Sequence, residues 1–359
     1  MINNNTYINN SNPEVIFNTT PDMHLFDNTE DLSGPLMITW DVTNRCNFRC
    51  SHCLNNSGKS EIHNFNDELN EEEGLKLVEQ IIDIKPINVC LCGGETLLRK
   101  DLTTIIKKIA DSNIPVAMVS NGYLLDEKKA FELKTAGIKT VQISLDGFSD
   151  AHDKFRNMPG SFERAISAIT NLEDVGVSTA ISLCPNKMNI SSFDKFVDMI
   201  VGTKCKSIRM MPLLPMGNGL KNFGDLEASK EEYFQLVLTI KEKSKQYKNR
   251  ISIEWGDPLE HIYLALSNNK QTPISMEIRS NGNLGVSIYL PITVGNVKKH
   301  SLREYWDGGY DKIWGNNQVR KIASSIRNIY DFKNMQKKSW NEQHLSIDIL
   351  GDKMEGMII

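Results

Sequence analysis

Short apolar runs alternate with amphipathic helical patterns along roughly the first 215 residues of this 359-residue chain. The runs are rich in β-branched residues, which favour strands, and the stretches between them place apolar residues at i, i+3, i+4 and i+7. Strands that alternate with helices predict parallel βαβ units with right-handed crossovers. We expect both faces of these strands to be apolar, as in a fully covered parallel sheet. The predicted strands are LMITWDV (36–42), INVCLCG (87–93), VAMVS (116–120), TVQISLD (140–146), TAISLC (179–184) and SIRMMPL (207–213).

The alternation stops after about residue 215, where a polar segment with several glycines begins. A long helix, a strand, a second helix and a hairpin are predicted beyond it. Asn281-Gly282 favours a type I′ turn in that hairpin. We therefore predict an α/β protein made of an Asn-rich N-terminal segment (1–34), a core barrel (35–215), a linker and helix (216–250) and a smaller α+β C-terminal domain (251–359).

Composition and charge exclude several classes of function. The formal net charge is −4 and no stripe of lysine and arginine stands out, so we expect no nucleic-acid partner. No apolar run approaches the length of a membrane span, and the first residues do not resemble a secretion signal. We therefore predict a cytoplasmic protein without a membrane partner. In the reducing cytosol, clustered cysteines are expected to bind metal or take part in chemistry rather than form disulfides.

Three of the seven cysteines lie within eight residues. Cys46, Cys50 and Cys53 have the spacing C-x3-C-x2-C and directly follow the first predicted strand, at the sheet edge where α/β active sites form. Three thiolates can hold three irons of a [4Fe–4S] cluster and leave the fourth iron open. A structural zinc site would need a fourth ligand; His52 lies between two of the cysteines, but its coordination there would be strained. The spacing alone leaves an open-site cluster and zinc as alternatives.

Four further motifs follow, three of them at the ends of successive strands. GGE (93–95), SNG (120–122) and SLDG (144–147) end the second, third and fourth predicted strands, and HDKFRNMPGSF (152–162) comes next. Each motif alone is a common turn or strand end. In this order, and behind CxxxCxxC, they resemble the radical S-adenosylmethionine (SAM) enzymes. The resemblance covers about residues 36–215.

This resemblance implies a partial (β/α)6 TIM barrel with two cofactors, one [4Fe–4S] cluster and SAM. The three clustered cysteines would bind the cluster, and the open iron would bind SAM. The reduced cluster would cleave SAM to methionine and a 5′-deoxyadenosyl radical, which takes a hydrogen atom from the substrate. The residues that the resemblance implies for SAM binding are Gly93, Gly94, Glu95, Ser120, Asn121, Ser144, Asp146 and Arg156.

The chain also resembles the narrower group of peptide-modifying radical SAM enzymes with a SPASM or twitch C-terminal domain, such as mycofactocin maturases. The segments that carry this likeness include CNFRCSHC and RMMPLLPMGNG. SPASM domains hold auxiliary clusters through many cysteines, but no cysteine follows Cys205 in this chain. The likeness therefore implies a SPASM-like domain without an auxiliary cluster. This favours a redox-neutral reaction such as epimerisation, or a cross-link or other maturation that uses another electron acceptor.

The substrate implied by this likeness is a ribosomally made precursor peptide. A separate leader-peptide recognition protein and an electron donor such as flavodoxin or ferredoxin are the expected partners. The alternatives are a radical SAM enzyme for a small molecule, such as a sugar or nucleoside, and a non-catalytic metal-binding protein. Cys184, at the end of the fifth predicted strand, is either a hydrogen-atom donor to a substrate radical or a small buried apolar residue.

Overall fold

The structure, a computed structural model, describes residues 32–267, 273–335 and 345–351. The predicted Asn-rich segment (1–34) lies almost wholly outside these residues. The strands are β1 (Met37–Thr43), β2 (Asn88–Gly93), β3 (Val116–Ser120), β4 (Thr140–Ser144), β5 (Ser178–Leu183), β6 (Ser207–Met210), β7 (Ser252–Trp255), β8 (Ser275–Ile278), β9 (Asn283–Gly285), β10 (Ile292–Asn296) and β11 (Leu345–Ser346).

The helices cover the sheet and connect its strands. Within the described ranges, none of them is both long enough and apolar enough to cross a membrane. The α-helices are α1 (Glu71–Ile84), α2 (Leu102–Asp111), α3 (Glu127–Ala136), α4 (Ser149–Arg156), α5 (Ser161–Asp174), α6 (Phe193–Val201), α7 (Asn218–Leu226), α8 (Lys230–Gln246), α9 (Pro258–Ser267), α10 (Leu302–Asp307), α11 (Asn317–Ala323) and α12 (Phe332–Met335).

Strands β1 to β7 lie side by side in chain order, and every neighbouring pair is parallel. Helices lie between consecutive strands along the chain, as the alternating sequence pattern predicts. A parallel sheet wound in one direction is the arrangement of a βα barrel. The predicted α/β class and the six predicted strands are therefore confirmed. The sheet does not close into a complete barrel, since β7 and β11 are its two edges.

The two faces of this sheet differ in polarity. We call the apolar face, which packs into the main hydrophobic core, the outer face, and the opposite face the inner face. The prediction that both faces are apolar is wrong, because the inner face carries mostly small or polar side chains. Outer-face residues include Ile38, Trp40, Val42, Leu91, Met118, Ile143, Ile181 and Ile208. Inner-face residues include Thr39, Asp41, Cys90, Cys92, Ala117, Gln142, Ser144, Ala180, Ser182, Arg209, Glu254 and Glu277.

The inner face is concave. Ala117 of β3 and Ala180 of β5 pack against each other although β4 lies between their strands. Neighbouring strands are about 4.8 Å apart, so two such short side chains meet across a strand only if the sheet curves toward them. The inner face therefore surrounds an interior of small and polar groups. This explains the polarity that the prediction missed, because such an interior can admit a polar ligand.

Strands from the predicted C-terminal domain extend the same sheet on both sides. β7 pairs in parallel with β6, and β8 pairs in parallel with β1. β9 is antiparallel to β8 and to β10. The division into a core barrel and a C-terminal domain stays a prediction, and the strands on both sides of that boundary share one hydrogen-bonded sheet.

The predicted hairpin is present between β8 and β9, but its turn differs from the predicted type. A type I′ turn needs positive φ at both central residues. Gly282 has φ +86°, whereas Asn281 is not among the described residues with positive φ. The amide of Gly282 donates to the carbonyl of Arg279, as in a type I turn that ends in a left-handed residue.

Candidate active site

The loop between β1 and α1 carries Cys46, Cys50 and Cys53 at the carboxyl end of β1. The sulfur of Cys46 accepts the backbone N–H of Phe48 at 3.4 Å, and the sulfur of Cys53 accepts that of Ser57 at 3.4 Å. Donors of this kind stabilise negative charge on a sulfur. Two of the three thiols are therefore provided with backbone donors that support a thiolate.

The third thiol receives a charged donor. The Nη1 of Arg156 lies 3.8 Å from the sulfur of Cys50. Burial raises the pKa of Cys50 to about 11 despite the opposing effect of Arg156, and burial raises that of Cys46 to about 12. Without metal these thiols are protonated at neutral pH, and a bound metal would displace their protons.

These thiols fit an iron–sulfur cluster in which each cysteine binds a different iron. Across the described ranges, no three His, Cys, Asp or Glu side chains lie close enough together to hold one metal ion. The ring of His52 stacks on Phe155, with centroids 4.1 Å apart and planes 2° apart. Burial and the charge of Arg156 lower the pKa of His52 to about 3, so this imidazole is neutral.

Gly93 and Gly94 hold the cysteine loop against the end of β2. The amide of Gly94 donates to the carbonyl of Thr43 at 2.7 Å, and a Cβ on Gly93, which has φ +128°, would lie 2.2 Å from that oxygen. A Cβ on Gly94 would lie 2.2 Å from the carbonyl oxygen of Arg45. Both positions require glycine because backbone packs against backbone here. The residues predicted to approach a ligand thus also fix the start of the loop.

Glu95 is fully buried and collects donors from the end of β3. Its carboxylate accepts the hydroxyl of Ser120 and the amide of Asn121, both at 2.8 Å, and the amide of Leu97 at 3.2 Å. Burial raises the pKa of Glu95, and these donors oppose the rise. The side chain of Asn121 also donates to Asn47 of the cysteine loop at 2.8 Å. The predicted GGE and SNG motifs are therefore one hydrogen-bonded unit that contacts the loop.

Asp146 and Arg156 form a buried ion pair at the end of β4. Nε and Nη2 of Arg156 both lie 2.6 Å from one oxygen of Asp146, and the other oxygen accepts the amide of Cys184 at 2.7 Å. Burial works to raise the pKa of Asp146, but the charge of Arg156 outweighs it and holds the pKa below its usual range. The same guanidinium contacts Cys50, so the pair links the β4 end to the cysteine loop.

The two remaining predicted residues lie beside this pair. Ser144 is buried on the inner face, opposite Ser182 in the adjacent strand. Cys184 directly follows β5, is partly buried and packs in a small cluster with Phe155 and Leu213. Burial raises the pKa of the Cys184 thiol, so it is protonated. A protonated thiol carries a hydrogen atom, but the role of Cys184 as a donor stays a prediction.

Sequence reasoning missed the role of the segment after β6. The side chain of Asn218 donates to the carbonyl of Cys50 at 3.0 Å, and its backbone amide donates to the carbonyl of Cys53 at 2.9 Å. A Cβ on Gly217 would lie 2.2 Å from the carbonyl oxygen of Cys53. What was predicted as a linker is therefore packed against the cysteine loop. The glycines of PMGNG could have indicated this contact, because glycine allows two backbone segments to approach closely.

The comparison with known families decides the class of the protein. Residues 40–200 match the model of the Radical SAM superfamily. This part of the chain is a radical SAM domain. Members of this superfamily use a [4Fe–4S] cluster and SAM, and these are the cofactors of this protein.

The relatives of this radical SAM enzyme have different names. Fe-coproporphyrin III synthase of Methanosarcina barkeri is 26% identical over 315 residues, which cover 79% of this chain and 77% of the relative. Mycofactocin maturase MftC of Mycolicibacterium smegmatis is 29% identical over 207 residues, which cover 57% of this chain and 51% of the relative. Relatives thus agree on the superfamily and differ in the reaction that their names describe.

A solved structure has the same fold. The crystal structure of Streptococcus suis SuiB bound to S-adenosylmethionine superposes with a TM-score of 0.66 at 15% identity, covering 84% of this chain and 76% of SuiB. At this identity the likeness establishes the fold. The matched part, 84% of the chain, is longer than residues 40–200.

Proposed function

We propose that this radical SAM enzyme cleaves SAM at a single [4Fe–4S] cluster held by Cys46, Cys50 and Cys53, and removes a hydrogen atom from a precursor peptide. The observation that carries the proposal is that each of these sulfurs has its own N–H donor, one of them from the Arg156–Asp146 pair. The bound cluster and SAM supply the one-electron chemistry that breaks an unactivated C–H bond.

Residues of this chain bind the cluster and SAM and orient them. The buried carboxylate of Glu95 has capacity for one more donor beyond its three present partners, which suits the amino group of SAM. Arg156 offers positive charge next to Cys50, which offsets the charge of a thiolate-bound cluster. The glycines Gly93 and Gly94 keep the cysteine loop close to Glu95. We also propose Ser120, Asn121, Ser144 and Asp146 as SAM-binding or positioning residues.

Several relatives support a peptide substrate. Mycofactocin maturase MftC and the sporulation killing factor maturation protein SkfB of Bacillus subtilis are maturation enzymes by name. SuiB, whose structure has also been solved with the precursor peptide SuiA, superposes over 92% of this chain with a TM-score of 0.64. A leader-recognition protein and a flavodoxin or ferredoxin donor remain part of this proposal.

A tetrapyrrole is the second candidate substrate. The observation that favours it is that Fe-coproporphyrin III synthase and AdoMet-dependent heme synthase, both of Methanosarcina barkeri, match 79% and 77% of this chain. Both matches extend well beyond the length of residues 40–200. The small-molecule alternative predicted from the sequence therefore takes the form of a tetrapyrrole rather than a sugar or nucleoside.

Anaerobic reconstitution tests the central claim. The purified protein is loaded with iron and sulfide, reduced with dithionite and given SAM, and 5′-deoxyadenosine is measured. We expect about four irons per chain and SAM cleavage in the wild type, and loss of both in Cys50→Ala. Cys205→Ser is the matched control, since this buried cysteine lies outside the loop and its thiol donates to the carbonyls of Thr179 and Ser207, as a serine hydroxyl also can. A reconstituted wild type that cleaves no SAM would contradict the proposal.

The substrate is tested in the same assay. A precursor peptide encoded beside the gene and iron-coproporphyrin III are added separately, and each product is identified by mass spectrometry. A mass change in the peptide supports the first candidate. Loss of propionate carboxyl groups from the porphyrin, with the peptide unchanged, supports the second.

A further inference from the structure

The interior bounded by the inner face contains a guanidinium that forms no close ion pair among the described residues. Arg209 lies on β6, and its side chain is half-buried on the inner face. Among the described residues, no carboxylate lies within 4.0 Å of its nitrogens, and it has no hydrogen-bond partner. An enclosed charge without a partner is costly, so its presence in a folded protein calls for an explanation.

The neighbouring carboxylate does not pair with it. Glu254 lies opposite Arg209 in β7, but its Oε1 accepts the hydroxyl of Ser252 at 2.9 Å instead. Burial raises the pKa of Glu254, and the hydroxyl of Ser252 and the more distant charge of Arg209 oppose the rise. On the far side of the interior, Arg279 is paired with Asp41 at 3.2 Å. Arg209 is therefore the cation in this interior that is left to bind an incoming anion.

A second polar group in the same interior also lacks a partner. Gln142 lies on the inner face of β4, is only 7% exposed, and its Oε1 has no hydrogen-bond partner. An unsatisfied buried amide is costly for the same reason as an unpaired charge. Strand β5 separates Gln142 from β6, and it contributes Ala180 and Ser182 to this face. These short side chains leave room for a ligand between the amide and the guanidinium.

The surroundings of Arg209 show that this space is enclosed yet open to solvent. His261 on α9 is accessible, and its ring lies 5.9 Å from the ring of Tyr289 and 6.2 Å from that of Trp314, both of which are buried. Enclosure by the protein and the charge of Arg209 lower the pKa of His261 to about 4. The solvent-accessible side chain of His261 thus lies beside buried aromatic rings at the opening of this interior, which we call the chamber.

We infer that Arg209 binds a carboxylate group of the substrate inside this chamber, while Oε1 of Gln142 accepts an N–H or O–H group of the same substrate. A guanidinium offers paired N–H donors that match the two oxygens of a carboxylate. Ser144, Ser182 and Arg209 lie in one row across β4, β5 and β6. With neighbouring strands about 4.8 Å apart, the carboxylate site is about 10 Å from the proposed SAM-binding residue Ser144. The inference rests on the proposed function, because it takes this chamber as the substrate site.

Calorimetric titration of the reconstituted full chain with glutarate tests the site, and glutaramide is the uncharged probe of similar size. We expect Arg209→Met to weaken glutarate binding about tenfold or more and Arg209→Lys to weaken it less, since it keeps the charge. Arg164→Met is the matched control, because Arg164 is exposed on α5 and its guanidinium lies over the ring of Tyr123, 5.6 Å from the ring centroid. Equal glutarate affinity in wild type and Arg209→Met, or no difference between glutarate and glutaramide, would overturn the inference.

A blocked tripeptide, acetyl-Ala-Glu-Ala-amide, identifies the source of the carboxylate. Tighter, Arg209-dependent binding of the tripeptide supports a peptide side chain, and tighter, Arg209-dependent binding of glutarate supports a small acid. Arg209→Gln provides a second variant if Arg209→Met does not fold, and it should weaken glutarate more than glutaramide. Gln142→Met should instead weaken glutaramide more, because Oε1 can accept its N–H groups. SAM cleavage by the wild type is measured separately, so the proposed function and the carboxylate site can each fail without the other.

Discussion

The buried pair of Asp146 and Arg156 gives the prediction with the largest expected effect. Arg156→Met keeps an apolar chain of similar length but removes both contacts to Asp146, each 2.6 Å long. Asp146 is completely buried and would retain only the amide of Cys184 on its other oxygen. Removing one partner of a buried ion pair costs about 3–5 kcal/mol, because the remaining charge is uncompensated.

Urea denaturation of the metal-free protein, followed anaerobically, measures this change without a contribution from cofactor binding. We expect the free energy of unfolding to fall by about 3–5 kcal/mol in Arg156→Met. The double variant with Asp146→Asn should recover about 2–3 kcal/mol, since it removes the stranded charge. Lys107→Met is the matched control: its ion pair with Asp111 is exposed, and its loss should change stability by less than about 0.5 kcal/mol.

The pH dependence gives a second measure of the same pair. The pKa of Asp146 is lowered in the folded protein, so its contribution to stability is present above the unfolded pKa and is lost as the pH falls through the folded value. In Arg156→Met the buried carboxyl should instead prefer its proton, and the variant should lose more stability at pH 8 than at pH 5. Additive effects of the two substitutions, within about 0.5 kcal/mol, would refute the reasoning.

Three further predictions concern single positions. Gly94→Ala should prevent stable cluster loading, because its Cβ would lie 2.2 Å from the carbonyl oxygen of Arg45. Gly224→Ala is the control and should load normally, because a Cβ there would have no atom within 4 Å. Iron analysis measures the loading of both variants, and a normal iron content in Gly94→Ala would contradict the packing argument. Burial raises the pKa of Glu277 to about 7, so the wild type should lose stability, up to about 3 kcal/mol, as the pH rises from the unfolded pKa toward 7. Urea titrations at pH 5 and pH 8 measure this decline in the free energy of unfolding, and Glu277→Gln should remove it. An unchanged decline in this variant would show that other titrating groups cause it. Cys184→Ala should still cleave SAM, but its product should no longer gain deuterium from deuterated solvent; unchanged deuterium in the product would assign this thiol a packing role.

The sequence by itself determined the alternation of strands and helices and the position of the candidate site. Alternating strands and helices depend on local preferences and on apolar periodicity, both of which can be seen within a short window. Because successive parallel strands end at the same edge of a sheet, motifs such as GGE and SNG were expected to meet, and Glu95 does bind Ser120 and Asn121. The three cysteines lie in a single loop, so their spacing can also be seen within a short window.

Only the tertiary structure decided which groups support that site. Arg156 reaches Cys50 across 106 positions of the chain, and Asn218 reaches it across 168. Such contacts depend on how the elements pack, and no local pattern encodes them. The polarity of the inner face was missed for the same reason. The strands carry enough apolar residues to suggest two covered faces, but the curvature of the sheet places small and polar residues such as Gln142 and Arg209 around a chamber.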